Sequence, residues 1–163
     1  MTIFSVIGDQ RFLTVRYLPV MTWLFVAIAA YGIADVVNRM LDGRLVAGTG
    51  PFLGLAGLAA MALYALAAGG QFVVASFDRG SDLVRVQRYG LDGISTTDRP
   101  LSDLSSLDVR VLRRAQHRIE LRFRSGERLP LTRYYVVTFN RRGLGQLSEM
   151  LRLEPQILRY DEK

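Results

Sequence analysis

Residue types that commonly carry chemistry are scarce in this sequence. Cysteine is absent and His117 is the only histidine, so thiol catalysis and metal centres built from cysteine or several histidines are excluded. The arginine-rich surroundings of His117 predict a solvated loop between two strands. The glycine pairs within 48–50 and 143–145 lack the strand–turn–helix context in which backbone N–H groups bind phosphate. We therefore predict a protein that is not an enzyme and that holds no metal or cofactor.

Arginine is the most informative polar residue type. It supplies 20 of the 21 basic residues, and residues 78–163 hold 17 basic against 12 acidic residues. Arginine makes bidentate contacts to carboxylates and phosphates, and a basic residue near an anionic leaflet contributes about 1 kcal/mol of attraction. Arg113, Arg114 and Arg118 are the candidates for a membrane-surface patch. The alternative is an ordinary solvated strand face, since acidic residues are interspersed. No nucleic-acid-binding motif is present, so nucleic acid is not an expected partner.

Two apolar stretches are long enough to be transmembrane helices. Residues 18–37 contain one charge, Asp35, and 20 helical residues span about 30 Å, the thickness of a bilayer core. Trp23 lies near the start of this stretch, where aromatic side chains favour the headgroup region. A second helix is predicted at about 52–70 and ends at a pair of glycines. We predict that residues 1–70 form an N-terminal tail followed by an antiparallel transmembrane hairpin.

The charge distribution predicts the orientation of this hairpin. The connection between the two stretches contains turn residues and only two arginines, Arg39 and Arg44. The basic region that begins at Arg79 outweighs that connection. By the positive-inside rule, both chain termini are therefore expected to lie on the cytoplasmic side. Asp35 is expected to pair with Arg39 near the end of the first helix.

Residues 71–163 have the alternating pattern of a β-rich domain. Apolar and charged residues alternate at 107–111 and again at 119–124, which is typical of half-buried antiparallel strands. About six or seven short strands are followed by an amphipathic helix at about 140–152. We predict an α+β membrane protein in which the hairpin precedes a small antiparallel sheet or barrel with a C-terminal helix. This order is similar, by analogy, to pleckstrin-homology-like (PH-like) domains.

Several short motifs add a family resemblance. They are Phe77-Asp78-Arg79, Val84-Arg85-Val86, Arg88-Tyr89-Gly90 with Gly93, and Leu129-Pro130-Leu131-Thr132-Arg133. In these motifs and in the order of its elements the chain resembles the photosystem I assembly protein family of cyanobacteria and plastids, whose members have two transmembrane helices. The N-terminal region matches that family in hydropathy only.

The resemblance implies a non-catalytic scaffold that holds photosystem I subunits during assembly in a thylakoid or photosynthetic inner membrane, with both termini on the stromal side. It implies no cofactor. Arg79, Arg85, Arg88 and Arg133 fall within the matched motifs and are the candidate partner-docking residues. Two alternatives stay open: a permanent accessory subunit of a large membrane complex, and a lipid-responsive bacterial PH-like membrane protein.

Overall fold

The computed structural model of this protein describes residues 3–46, 48–112, 116–133, 135–136 and 141–159. Within these residues the chain forms nine strands and three helices. In chain order they are β1 (Ile3–Gly8), β2 (Phe12–Leu18), α1 (Val20–Leu41), α2 (Thr49–Gly69), β3 (Phe72–Asp78), β4 (Leu83–Gly90), β5 (Gly93–Pro100), β6 (Leu104–Leu112), β7 (Gln116–Phe123), β8 (Arg128–Pro130), α3 (Arg141–Leu151) and β9 (Pro155–Arg159). The predicted α+β arrangement, with two apolar helices, an antiparallel sheet and a C-terminal helix, is confirmed.

The first sheet contains β1 to β5 in chain order, and every neighbouring pair is antiparallel. The helices α1 and α2 are inserted between β2 and β3, which pair directly, with Tyr17 opposite Val73. Both helices therefore join the same end of this sheet, which we call the hairpin end. The turn between β4 and β5 also lies at the hairpin end, because Tyr89 is opposite Phe72.

Strands β1 and β2 lie in the segment that the sequence analysis treated as a tail. Leu13, Val15 and Tyr17 alternate with more exposed residues and face the core. This period-two signal is short and is followed at once by a long apolar stretch, so it was not recognised as a strand. The N-terminal segment is therefore part of the sheet, although the chain between β2 and β3 contains two long helices.

The second sheet has the order β8-β7-β6-β9. Its first three strands are antiparallel, but β9 pairs with β6 in parallel, with Val109 opposite Ile157. The helix α3 covers residues Arg141–Leu151, close to the predicted 140–152. Strand β9 was not predicted, because a five-residue strand at the edge of a sheet carries little periodic signal.

The core lies between the inner faces of the two sheets, where Phe77 of β3 and Leu121 of β7 are fully buried. Leu147 and Met150 of α3 are also buried there. Beside this core, Arg99 of β5 makes a bidentate contact with Glu127, with N–O distances of 2.9 and 2.8 Å. That contact joins the edge of the first sheet to the turn that precedes β8.

Both long helices satisfy the length and composition expected of membrane spans. Helix α1 has 22 residues and α2 has 21, and each contains an 18-residue window with a mean hydropathy of 1.9. Only 6% of each window is buried. The bounds differ by a few residues from the predicted 18–37 and 52–70. The expected ion pair between Asp35 and Arg39 is present at 2.9 Å.

The two helices are tied together at the hairpin end. The indole Nε1 of Trp23 donates a hydrogen bond to the Gly70 carbonyl oxygen at 3.2 Å. Gly69 approaches α1 so closely that a Cβ atom there would lie 3.2 Å from Oγ1 of Thr22. The start of α1 and the end of α2 are therefore adjacent where both helices meet the sheet.

Candidate functional site: an arginine-lined cleft at the hairpin end

The four predicted docking arginines lie in different surroundings. Arg79 follows β3, and its backbone N–H donates to the Arg11 carbonyl at 2.9 Å. Arg85 is on β4 and makes a bidentate ion pair with Asp98 of β5, with N–O distances of 2.9 and 2.8 Å. Only Arg88 and Arg133 lie together. The structure therefore unites two of the four in one site.

That site is a cleft of about 440 Å³ between the edge strands of the two sheets. One wall is formed by the β4–β5 turn and the start of β5, and the other by β8 and the residues after it. Gln71, two residues after the end of α2, also lines it. The lining residues are Gln71, Arg88, Asp92, Gly93, Ile94, Ser95, Leu129, Pro130 and Arg133.

Arg88 has a position that strand alternation explains. It follows Val84 and Val86 on the inward-facing side of β4, but it lies at the open hairpin end, beyond the apolar core. Its Nη2 donates a hydrogen bond of 2.5 Å to the Pro130 carbonyl, which links the two sheets. Its buried Nε has no hydrogen-bond partner among the described residues. Arg88 therefore retains an unused donor at the cleft.

The electrostatics of the cleft favour a negatively charged occupant. Partial burial lowers the pKa of Arg88, and the positive charge of Arg133 lowers this pKa further. Arg133 in turn lies near Asp92, with 3.8 Å between Nη1 and Oδ2. Two guanidinium groups thus line one cavity, and Asp92, whose side chain is largely exposed, is the acidic residue among the described residues that line it. An anion would offset their mutual repulsion.

A glycine at the end of β4 determines how closely Gln71 packs against the β4–β5 turn beside the cleft. A Cβ atom at Gly90 would lie 2.6 Å from Oδ1 of Asp92 and 3.1 Å from Cγ of Gln71. The buried Oε1 of Gln71 has no hydrogen-bond partner in the described part of the chain. Gly90 therefore allows Gln71 and the β4–β5 turn to approach each other at the edge of the site.

The predicted membrane-surface arginines are only partly described. Arg113 and Arg114 lie outside the described residues. Arg118 lies on β7, where its Nη2 donates to Glu120 and its guanidinium carbon lies 5.1 Å from the ring centre of Tyr135. Its side chain is 23% exposed. The charge of Arg118 is therefore balanced within the protein.

The prediction that His117 lies in a solvated loop is wrong. His117 is in β7 and is buried, with 6% of its surface exposed. It lies on the same face of β7 as Ile119 and Leu121, whose side chains face the core, and its backbone pairs with Val136. The arginine-rich sequence around His117 suggested a loop, but Arg118 is a residue of β7 and is paired with Glu120. The period-two pattern of residues 117, 119, 121 and 123 was the sequence signal that could have predicted that His117 faces the core.

The described residues contain no group of three His, Cys, Asp or Glu side chains that could hold a metal ion. No family model matches the chain, and no curated protein matches it either.

Proposed function

We propose that this chain is an integral membrane protein whose two helices cross the lipid as a hairpin and whose β-domain acts as a non-catalytic scaffold at one membrane face. The single observation that carries this proposal is the exposure of α1 and α2. Each has an apolar window that is only 6% buried, although the β-domain has a complete core of its own. A core helix of a water-soluble protein would bury such a window.

The large apolar side chains on these helices would be costly to expose to water. Burial of one such side chain away from water is worth roughly 1.5–3 kcal/mol, and monomeric soluble proteins rarely expose apolar patches above a few hundred Å². Lipid removes this cost. The exposed large apolar residues of the two helices include Met21, Trp23, Leu24, Phe25, Ile28, Tyr31, Phe52, Leu53, Met61, Leu63 and Tyr64.

The sheet topology supports a transmembrane hairpin of α1 and α2 rather than a cleaved signal peptide at α1. Because β2 pairs with β3, the segments before α1 and after α2 must lie on the same side of any membrane that both helices cross. Removal of α1 by a peptidase would also remove β1 and β2 from the sheet. The β-domain carries the net positive charge, whereas the charges of the hairpin cancel, so we place the domain and both termini on the cytoplasmic side.

We further propose a PH-like domain whose partners are subunits of a photosynthetic membrane complex, photosystem I first among them. Two sheets enclosing a core, with a helix near the C-terminus, support the PH-like assignment as an analogy of architecture. The motifs at 77–79, 84–86, 88–90 and 129–133 support the partner class by resemblance alone. Arg79 and Arg85 on the β3–β4 hairpin and the cleft arginines Arg88 and Arg133 are the proposed docking residues.

Membrane topology is tested by labelling single cysteines, because the natural chain contains none. Gly48→Cys reports the connection between the helices, where a side chain meets no other atom within 4 Å. Ser125→Cys reports the exposed β7–β8 turn. In sealed membrane vesicles whose cytoplasmic face is outward, a membrane-impermeant maleimide should label position 125 but should label position 48 only after permeabilisation. Labelling of both positions in sealed vesicles, or extraction of the chain by carbonate, would contradict the hairpin.

The partner is tested by affinity purification from membranes solubilised in mild detergent. A scaffold should recover photosystem subunits in assembly intermediates and be present only in traces in the mature complex. A near one-to-one ratio in the mature complex would instead indicate a permanent accessory subunit. Recovery of no photosystem subunit would contradict the photosynthetic partner and leave the membrane hairpin to be judged by the labelling experiment.

A further inference from the structure

We propose that the cleft at the hairpin end binds the phosphate of an anionic lipid headgroup, such as that of phosphatidylglycerol, with Arg88 and Arg133 as the phosphate ligands. This inference rests on the proposed membrane hairpin. It concerns a defined site and a defined chemical group, rather than a diffuse attraction between a basic domain and a charged leaflet.

The position of the cleft matches the depth of lipid headgroups. Gln71 lines the cleft and comes directly after Gly70, the residue that caps the end of α2. At the same level, Trp23 donates to the Gly70 carbonyl, and indoles favour the interface between hydrocarbon and headgroups. A 21-residue helix spans about 31 Å, which is close to the hydrocarbon thickness of a bilayer. The residues just beyond α2 are therefore expected at phosphate depth.

The turn beside the cleft also points towards lipid. Leu91 and Ile94 flank Asp92 and Gly93 in the β4–β5 turn, and they are 64% and 69% exposed. This turn lies at the hairpin end, because Tyr89 is paired with Phe72 at the start of β3. Exposed leucine and isoleucine on a turn at the membrane surface gain free energy by entering the interfacial region. Their insertion would bring the mouth of the cleft against the headgroups.

The chemistry of the lining residues fits a phosphate. Arginine presents planar donors to phosphate oxygens, and the buried Nε of Arg88 is a donor without a partner among the described residues. Gln71 adds an amide to the lining. Asp92 is the opposing group, since its carboxylate lies 3.8 Å from Arg133 and competes with an incoming anion for that guanidinium. A volume of about 440 Å³ lies in the ordinary range of small-ligand sites.

The test measures lipid preference with the full-length chain. The protein is reconstituted into nanodiscs of equal parts phosphatidylglycerol and phosphatidylcholine and transferred to mild detergent, and the retained lipids are counted by native mass spectrometry. We expect preferential retention of phosphatidylglycerol, because the choline cation of phosphatidylcholine neutralises its phosphate and is repelled by the two guanidinium groups. Arg133→Gln should reduce this preference about fivefold, the value of one well-placed basic residue at a membrane surface. Arg128→Gln is the matched control, because it removes the same charge from an exposed position on β8 and should leave the preference unchanged.

A second pair of variants tests for an increase in the phosphatidylglycerol preference. Misfolding would not produce such an increase. Asp92→Asn removes the carboxylate that competes for Arg133 and should raise the phosphatidylglycerol preference. Asp103→Asn removes the same charge from an exposed residue that does not line the cleft and should not raise it. Equal effects within either pair, or no effect of Arg133→Gln, would overturn the site and leave only general electrostatic attraction.

Two further controls complete the test. One distinguishes binding of the lipid from binding of free phosphate, and the other distinguishes failure of this site from failure of the membrane hairpin. Displacement of phosphatidylglycerol by inorganic phosphate at equal concentration would overturn the lipid assignment, and retention of the lipid in excess phosphate would support it. A chain that does not enter nanodiscs would overturn both the membrane hairpin and this site. A chain that enters nanodiscs but retains both lipids equally would overturn the site alone.

Discussion

Asp108 of β6 and Glu120 of β7 lie directly opposite each other, and both are buried, with 0% and 3% of their surfaces exposed. Like charges in directly opposed positions destabilise a sheet. Here each carboxylate is met by an arginine of the other strand: Asp108 lies 2.9 Å from Arg122, and Glu120 lies 2.8 Å from Arg110. Glu120 also accepts a hydrogen bond from Arg118. The outer face of this strand pair therefore carries an ionic network of buried carboxylates and partly exposed arginines.

Glu120→Gln is expected to destabilise the β-domain by about 3–5 kcal/mol, because it deprives two arginines of one buried carboxylate. The measurement is the urea-induced loss of β-sheet circular dichroism, with the full chain in detergent. Asp103→Asn removes a charge from an exposed turn and should change the free energy of unfolding by less than about 0.5 kcal/mol. A loss below about 1 kcal/mol for Glu120→Gln would show that the network is solvated rather than buried.

Alanine substitutions at two glycines of α3 are expected to change the free energy of unfolding in opposite directions. A Cβ atom at Gly143 would lie 2.7 Å from both Phe4 and Val6 of β1, whereas a Cβ atom at Gly145 meets nothing within 4 Å. Gly143→Ala should therefore cost about 1–3 kcal/mol through overpacking. Gly145→Ala should stabilise by about 0.5–1 kcal/mol, because alanine loses less backbone entropy in a helix. Thermal unfolding of both variants measures the difference, and shifts of equal sign would contradict the docking of α3 on β1.

The stability of the β-domain is expected to fall in acid. Hydrogen bonds from Ser81 and Gly80 lower the pKa of Asp78 below its ordinary value of 3.8, and the Arg85 contact lowers the pKa of Asp98 in the same way. A carboxyl whose pKa is lower in the folded state binds fewer protons than in the unfolded state. Its contribution is complete above the ordinary value and is lost as the pH falls through the folded value.

The urea midpoint should therefore be nearly constant from pH 7 to about pH 5 and should fall below about pH 4. Asp78→Asn should have a smaller acid dependence than the wild type, because one of the shifted groups is gone. Unfolding curves at a series of pH values provide the measurement. A midpoint that does not change down to about pH 2.5 would show that these contacts are absent in solution.

Trp23 provides an intrinsic probe of depth, because it is the only tryptophan in the chain. Its Nε1 bonds to the Gly70 carbonyl at the level where both helices meet the sheet. In vesicles, lipids brominated near the headgroup should quench its fluorescence more than lipids brominated near the chain ends. Trp23→Phe is the blank for this signal. Stronger quenching by the deeply brominated lipid would place the hairpin end inside the hydrocarbon core and contradict a headgroup site in the cleft.

Local sequence pattern was sufficient for the elements with strong periodicity. The two long apolar stretches predicted α1 and α2 to within a few residues, because the length and composition of a helix are recorded in consecutive residues. The alternation at 107–111 and 119–124 predicted β6 and β7, and the leucine spacing after residue 140 predicted α3. Each of these signals comes from the backbone geometry of one segment.

The alternation of apolar and charged residues in β6 and β7 did not predict that the carboxylates on the charged face are buried. Period two identifies two faces of a strand but does not state what covers the charged one, so Asp108 and Glu120 suggested a solvated surface. Pairing across the strands decides their burial, because the arginines that cover and neutralise them come from the opposite strand. The same limit applied to His117, whose arginine neighbours suggested a loop although the residue is buried in β7.

The sequence by itself determined that this chain has two long apolar helices and an arginine-rich β-domain, because hydropathy and periodicity are properties of neighbouring residues. Only the tertiary structure decided that β1 and β2 belong to the same sheet as β3, and that Arg88 meets β8, 42 residues further along the chain, at Pro130. These contacts depend on how distant segments pack around a shared core, and no local pattern specifies which distant segments will meet. The cleft exists because of that packing.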